Sequence, residues 1–283
     1  MALKDPNGRL SSWIGLDCCS WTGVHCHNYT GHVIRLDLRH NGGIGYLGGN
    51  YLDMVGSHWL TNLSSLQCLN LTEINFTNLR FLDLSSNDIN SAMPLWLFKL
   101  SGLEYLNLQY NNFQDLIPSD IGKLTSLRVL DLSGTKYFSG DLNRLGEIFS
   151  GSLEELYWSD ASLSGPLPSW LGNLKSLKAL DLSYNSVYGS LLQLRLPSLQ
   201  ALYLSSTNFN GTIPYYLGQL FPELDMLDLS YNNIAVRPDW VPPPKLKYLH
   251  MNDCKVGPRF PSCQMQVLVM RYHYGFGTSL WIL

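Results

Sequence analysis

"LKALDLSYNSV", Leu177 to Val187, decides how this chain is read. Its centre alternates apolar and other residues with the period of a strand. Leu180 and Leu182 therefore face one side and Asp181 the other. The stretch has relatives along the chain: "LRFLDLSSNDI" from Leu79, "LEYLNLQYNNF" from Leu103, "LRVLDLSGTKY" from Leu127 and "LEELYWSDASL" from Leu153. "LQALYLSSTNF" from Leu199, "LDMLDLSYNNI" from Leu224 and "LKYLHMNDCKV" from Leu246 follow. An earlier copy, "VIRLDLRHN", begins at Val33, and a partial one, "LQCLNL", at Leu66. From Leu79 the starts are spaced by 24, 24, 26, 24, 22, 25 and 22 residues. One turn cannot bury its own leucines, so neighbouring turns must stack, with strands about 4.8 Å apart. Parallel strands are expected near 80–84, 104–108, 128–132, 154–158, 178–182, 200–204, 225–229 and 247–251.

The ninth position of the template is Asn87, Asn111, Asn185 and Asn232. A buried amide there can satisfy turning backbone groups that no strand partner reaches. Thr135, Thr207 and Cys254 stand at the same position, which makes Cys254 a buried thiol. Further on come apolar-Pro pairs at one offset: Met93-Pro94, Ile117-Pro118, Leu167-Pro168, Ile213-Pro214 and Phe260-Pro261. The template L-x-x-L-x-L-x-x-N/C-x-L is identified as the leucine-rich repeat. The fold class expected is an α/β solenoid. It is a right-handed superhelix with short parallel β-strands on the concave face and an irregular or 3-10 convex side.

Bulk composition narrows the function. The chain has 283 residues, enough to bury a sizeable core. Charged residues are only 14% and the net charge is −3, so a nucleic-acid partner held by phosphate contacts is not expected. No run approaches the ~18 apolar residues of a membrane helix. The opening "MALKDPNGR" lacks the apolar segment of a signal peptide. Six cysteines leave the redox compartment open at this level.

The stretches "SGPLPSWLGNL" and "NGTIPYYLGQL" resemble the plant-specific class of leucine-rich repeats, found in receptor kinases, receptor-like proteins and polygalacturonase-inhibiting proteins. The opening "DPNGRLSSWIGLDCCSWTGVHCHNYTGHVIRLDL" is similar to the N-terminal cap of those families, and "WLTNLSSLQCLNLTEINF" to receptor-like proteins that perceive fungal xylanase. The resemblance implies a truncated cap at 1–32, repeats at 33–262 that are irregular over 42–78, and a divergent tail at 263–283. It also implies a Cys19–Cys26 disulfide. Cys18 would then be left alone, because its family partner lies upstream of a cap helix represented here only by Met1–Leu3. The chain is expected to be a fragment of a longer protein.

Other motifs carry less. "GIGYLG" (Gly43–Gly48) matches a dinucleotide fingerprint but lacks the following helix and the acidic residue ~20 positions on. It reads as an irregular loop. Cys18, Cys19, His25, Cys26 and His27 match no common zinc spacing, so no metal and no cofactor are expected. Asp37, Asp83, Asp131, Asp181 and Asp228 share the L-D-L position and should form a column on the exposed strand face, a surface rather than an acid/base pair. N-x-[ST] triplets at Asn28, Asn62, Asn70, Asn75 and Asn210 fit an exported glycoprotein. Tyrosines recur on the exposed face or its margin, at Tyr105, Tyr110, Tyr157, Tyr184, Tyr203, Tyr231 and Tyr248. They suit half-exposed strands and equally a protein-binding strip.

The resemblance implies a non-catalytic recognition module on the extracellular side of the plasma membrane. It would bind a peptide or protein ligand in defence or developmental signalling, with a co-receptor or adaptor kinase in the intact protein. A soluble polygalacturonase-inhibitor-like protein and a truncated product without function are the alternatives. The ligand-binding candidates lie in consecutive turns: Tyr157, Asp181, Tyr184, Tyr203 and Asp228.

Overall fold

Each L-x-L core becomes a three-residue strand because its two leucines need a neighbouring turn to cover them. In the computed structural model this holds at every full copy of the template. The structure describes residues 18–29, 33–37, 79–87, 89–90, 92–114, 117–135, 151–237, 239–254 and 268–270, together with Ser12 and Phe149. The chain divides into two units, Met1–Ser139 and Gly140–Leu283.

In the first unit, β1 (Val24–Cys26) pairs antiparallel with β2 (Val33–Asp37). β2 then pairs in parallel with β3 (Phe81–Asp83), β3 with β4 (Tyr105–Asn107), and β4 with β5 (Val129–Asp131). β2 neighbours β3 directly. The partial copy at Leu66 and the loop over 42–78 lie outside the described residues, as does Gly43–Gly48. Cys19 and Cys26 are joined by a disulfide that ties a 3-10 turn, Cys18–Ser20, to β1. The side chain of Cys18 lies outside what is described.

In the second unit, β6 (Glu155–Tyr157), β8 (Ala179–Asp181), β10 (Ala201–Tyr203), β12 (Met226–Asp228), β14 (Tyr248–His250) and β15 (Leu268–Met270) form one parallel ladder. The register is one repeat per strand: Leu156, Leu180, Leu202, Leu227 and Leu249 stand side by side, all buried. β15 continues the ladder past residue 262. Beyond the asparagine position the chain pairs again. β7 (Ser164–Pro166) lies parallel to β9 (Ser186–Tyr188), and β11 (Asn210–Thr212) to β13 (Asn233–Ala235). Gly165 and Gly211 sit at equivalent points of β7 and β11 with φ of 105° and 101°, a conformation that costs glycine least.

Among the described residues, short 3-10 turns lie between the strands, such as Ser119–Lys123 in the first unit and Ser169–Asn173 in the second, and the second unit also has an α-helical turn, α1 (Leu217–Leu220). Pro118 and Pro168 each precede a 3-10 turn with φ of −65° and −76°. Proline's fixed φ starts such a turn without needing a ladder donor. The preceding apolar residues Met93, Leu167 and Ile213 are buried.

The asparagines knit the turns together. Asn111 Oδ1 accepts from the backbone of Ile89 (3.0 Å), and its Nδ2 donates to the carbonyls of Leu84 (2.8 Å) and Leu108 (2.9 Å). Asn185 and Asn232 repeat this arrangement in the second unit. Cys254 takes part in kind: its thiol donates to the carbonyl of Leu229 at 3.1 Å. It is half-buried rather than enclosed, and burial still pushes its thiol pKa up.

Candidate functional site

The strand register of the second unit lines up the residue between the two leucines of each turn. Tyr157 stands beside Asp181, Asp181 beside Tyr203, Tyr203 beside Asp228, and Asp228 beside His250. Neighbours in such a row are about 4.8 Å apart. Four of the five candidate residues thus meet in one row. Tyr184 does not join it. It lies three residues past Asp181, beyond the end of β8, in the left-handed conformation with φ of 57°.

The aspartates do not form the exposed column expected of them. Asp37 and Asp83 are buried, Asp83 to 1% exposure, and Asp131, Asp181 and Asp228 are half-buried. The chain turns sharply after each strand, and the carboxylate folds back over that turn. Asp83 Oδ1 accepts from the N–H of Ser85 (3.0 Å), Asp131 from Ser133 (2.9 Å), Asp181 from Ser183 (2.8 Å) and Asp228 from Ser230 (2.9 Å). Asn107 does the same for Gln109 at 3.0 Å. These are side-chain turns onto the backbone two residues ahead. The column is a structural device first, and only the half-buried Asp131, Asp181 and Asp228 reach the surface.

Within the row, charge is distributed unevenly. Burial raises the Asp181 carboxyl above its ordinary value, and the nearby Asp228 charge adds to this, while hydrogen bonds from Ser183 and Ser159 oppose it. Burial acts on Asp228 in the same direction. There the combined hydrogen bonds from His250 and Ser230 outweigh it and hold the carboxyl below its ordinary value. His250 Nδ1 lies 3.8 Å from Asp228 Oδ2. The Tyr203 hydroxyl is raised by burial and then by the charges of Asp181, Asp225 and Asp228. Tyr157 hydrogen-bonds Glu155 Oε2 at 2.9 Å.

His250 belongs to the row and was not among the candidates. Its position in "LKYLHMNDCKV" was visible, since it fills the place held by aspartate in "LDMLDLSYNNI". Lysines at the margin are paired across turns, Lys178 with Glu154 (2.7 Å) and Lys247 with Asp225 (3.5 Å). The first unit fills its strand face differently. The Arg35 guanidinium sits 3.9 Å from the centre of the Phe81 ring, and Phe81 stacks on Tyr105 at 4.1 Å.

Among the described residues no group of His, Cys, Asp or Glu is arranged to hold a metal ion. Cys19 and Cys26 are spent in the disulfide. Asn28 and Asn210 are exposed, while Asn62, Asn70 and Asn75 fall outside the described residues. No described helix is long and apolar enough to cross a membrane.

Stacked turns of this template, with asparagine recurring at the ninth position and a capped N-terminal strand pair, define a leucine-rich-repeat solenoid. The chain belongs to that family. Residues 60–271 match the leucine-rich repeat region and residues 1–27 the leucine rich repeat N-terminal domain. It is similar to Receptor-like protein 35 of Arabidopsis thaliana, 36% identical over 208 residues, which cover 55% of this chain and 22% of that protein. It is also similar to Receptor-like protein EIX1 of Solanum lycopersicum, 31% identical over 191 residues, or 64% of this chain and 17% of that one. The chain therefore spans about a fifth of the length of these relatives. Among solved structures it superposes on the Arabidopsis receptor kinase HAESA in complex with the peptide hormone IDA and the co-receptor SERK1. The TM-score there is 0.61 and the identity 25%, covering 90% of this chain and 44% of that one. The likeness to plant receptor-like proteins places this chain among non-catalytic repeat modules.

Proposed function

We propose that the chain is part of the extracellular recognition module of a plant cell-surface receptor-like protein, and that it binds a peptide or protein ligand. The observation that carries this is the row Tyr157–Asp181–Tyr203–Asp228–His250, assembled by strand register on the side-chain face of the second unit. Tyrosine supplies large contact area at low entropy cost, and the carboxylates between the rings favour a ligand with a basic residue. Relatives of the receptor-like kind and a solved peptide-hormone complex of the same fold support the reading. The intact protein would pass the signal through a co-receptor or adaptor kinase, in defence or development. Tyr184 contributes at the margin of the same face.

The test selects peptides from a displayed random library against the wild-type chain and titrates the best binder against variants. Tyr203→Ala should weaken binding by about 1–2 kcal/mol if that ring is an anchor. Equal affinity across substitutions at Tyr157, Asp181, Tyr184, Tyr203 and Asp228 would overturn this placement of the site.

A further inference from the structure

Four tyrosines of the second unit recur every second turn, in two staggered rows. In the strand row, Tyr157 and Tyr203 are separated by the turn that carries Asp181. In the following left-handed row, Tyr184 and Tyr231 (φ 57° at both) are separated by the turn that carries Ser206. Tyr184 is 61% exposed and Tyr231 39%. In chain order the rings step from one row to the other, one per turn, through four consecutive turns.

Packing at this position is visible in the first unit. A Cβ built on Gly134 would lie 2.4 Å from the Tyr110 ring. Both residues occupy the left-handed position, so Tyr110 lies across the same position of the next turn. In the second unit Tyr184 is followed at that position by Ser206 and Tyr231 by Asp253.

Two turns span about 9.6 Å at the usual strand spacing. A peptide in the polyproline II conformation rises about 3.1 Å per residue and returns to the same face every third residue, about 9.3 Å on. A β-extended peptide returns every second residue, about 6.8 Å on, and falls out of step with the rings. The charge is one-sided as well. Asp160, Asp181, Asp228 and Asp253 lie in the two rows, and neither row contains a lysine or arginine in the turns from Leu153 to Leu246. Lys178 and Lys247 stand outside the rows and are already paired.

We infer that this face takes a proline-rich segment in the polyproline II conformation, running across the turns with a proline at every third residue against the tyrosines and basic residues toward the aspartates. The inference rests on the reading of this face as the ligand surface and adds the class and conformation of the ligand. Stacking of proline rings on aromatic side chains is a general mode of recognition for such segments.

The experiment titrates the full chain with three synthetic peptides of about 12 residues, about 37 Å long in this conformation and so longer than the four turns at about 4.8 Å each. One repeats Pro-Ala-Lys, one has the same composition with its prolines clustered at one end, and one repeats Val-Thr-Lys. The library-selected peptide described above serves as a reference. The Pro-Ala-Lys peptide should bind about tenfold more tightly than either control. That advantage should vanish in Tyr203→Ala and in Tyr231→Asn, the latter chosen because asparagine tolerates the left-handed backbone. A cooperative thermal unfolding transition shows that each variant folds. Equal binding of the two proline peptides leaves only charge attraction and overturns the inference. Tighter binding of Val-Thr-Lys overturns it too. If no synthetic peptide binds while the reference peptide still depends on Tyr203, the inference fails and the ligand face stands. If the reference is indifferent to all five site substitutions, the ligand face fails as well.

Discussion

The side-chain amide of Asn185 donates to the backbone carbonyl of Trp158, 2.8 Å away in the preceding turn. The same side chain accepts from the N–H groups of Ala161 (3.1 Å) and Leu163 (2.9 Å) and donates to Leu182 (3.0 Å) and Ser183 (3.1 Å) in its own turn. The preceding turn has Ala161 where most others have asparagine, so Asn185 serves both. Asn185→Ala strands several buried backbone groups at about 1–3 kcal/mol each before relaxation. The expected loss is about 3 kcal/mol or more, measured by urea denaturation. A loss below ~1 kcal/mol would show that water replaces the amide.

Asp181 and Asp228 should give opposite pH signatures. The Asp181 carboxyl is raised in the folded chain, chiefly by burial, above its ordinary value of 3.8. The folded state then holds a proton that the unfolded chain has released. The stability this contributes is fully present below 3.8 and is lost as pH rises through the raised value. Asp228 is lowered, because the bonds from His250 and Ser230 outweigh burial, so its contribution is present above 3.8 and lost as pH falls through the lowered value. Asp181→Asn keeps the turn, as Asn107 does naturally at 3.0 Å from the Gln109 nitrogen. It should raise stability at neutral pH relative to wild type. Asp228→Asn should lower it. Unfolding midpoints from pH 3 to 7 read both, and two changes of the same sign would contradict the assignment.

Tyr184 adopts a left-handed backbone at φ 57°, which costs a residue with a branched or bulky side chain about 1 kcal/mol. Tyr184→Asn should stabilise the fold by about 0.5–1 kcal/mol. The same change should weaken peptide binding. A variant that is less stable would mean that the ring packs more than its exposure suggests.

The Cys19–Cys26 bridge closes a short loop, with a sequence separation of 7. Loop-closure entropy for a ring of that size amounts to about 2–3 kcal/mol. Cys19→Ser with Cys26→Ser should expose β1 and β2 to proteolysis ahead of the rest of the chain, read by limited digestion. Identical cleavage patterns in wild type and double variant would show that the bridge does not hold these strands.

The strands were readable because the signal repeats. Leu156, Leu180, Leu202, Leu227 and Leu249 each lie in a window of alternating character, and each is buried in a strand one residue shorter at either end than the expected span. The asparagine position was readable for the same reason. The candidate site was legible in part. Tyr157, Asp181, Tyr203 and Asp228 share one template position, so any parallel stacking in register brings them together. His250 occupies that position too, but nothing local marks it as a partner for Asp228.

From the sequence alone came the identity of the turns, their spacing, and which residue of each faces the core, because period-2 alternation and a repeated asparagine are local facts. The fate of the outward residues depended on contacts between turns. The aspartates are half-buried or buried because each carboxylate caps a turn that exists only where the next strand draws the chain onward. The eighth position is left-handed because the ladder runs past the strand end. Tyr184 donates its N–H to Ser205 (2.8 Å), Ser206 to Ser230 (2.9 Å) and Tyr231 to Asn252 (2.6 Å), each in the following turn. Only a stacked neighbour can offer those carbonyls, and so only the tertiary structure could set that position left-handed.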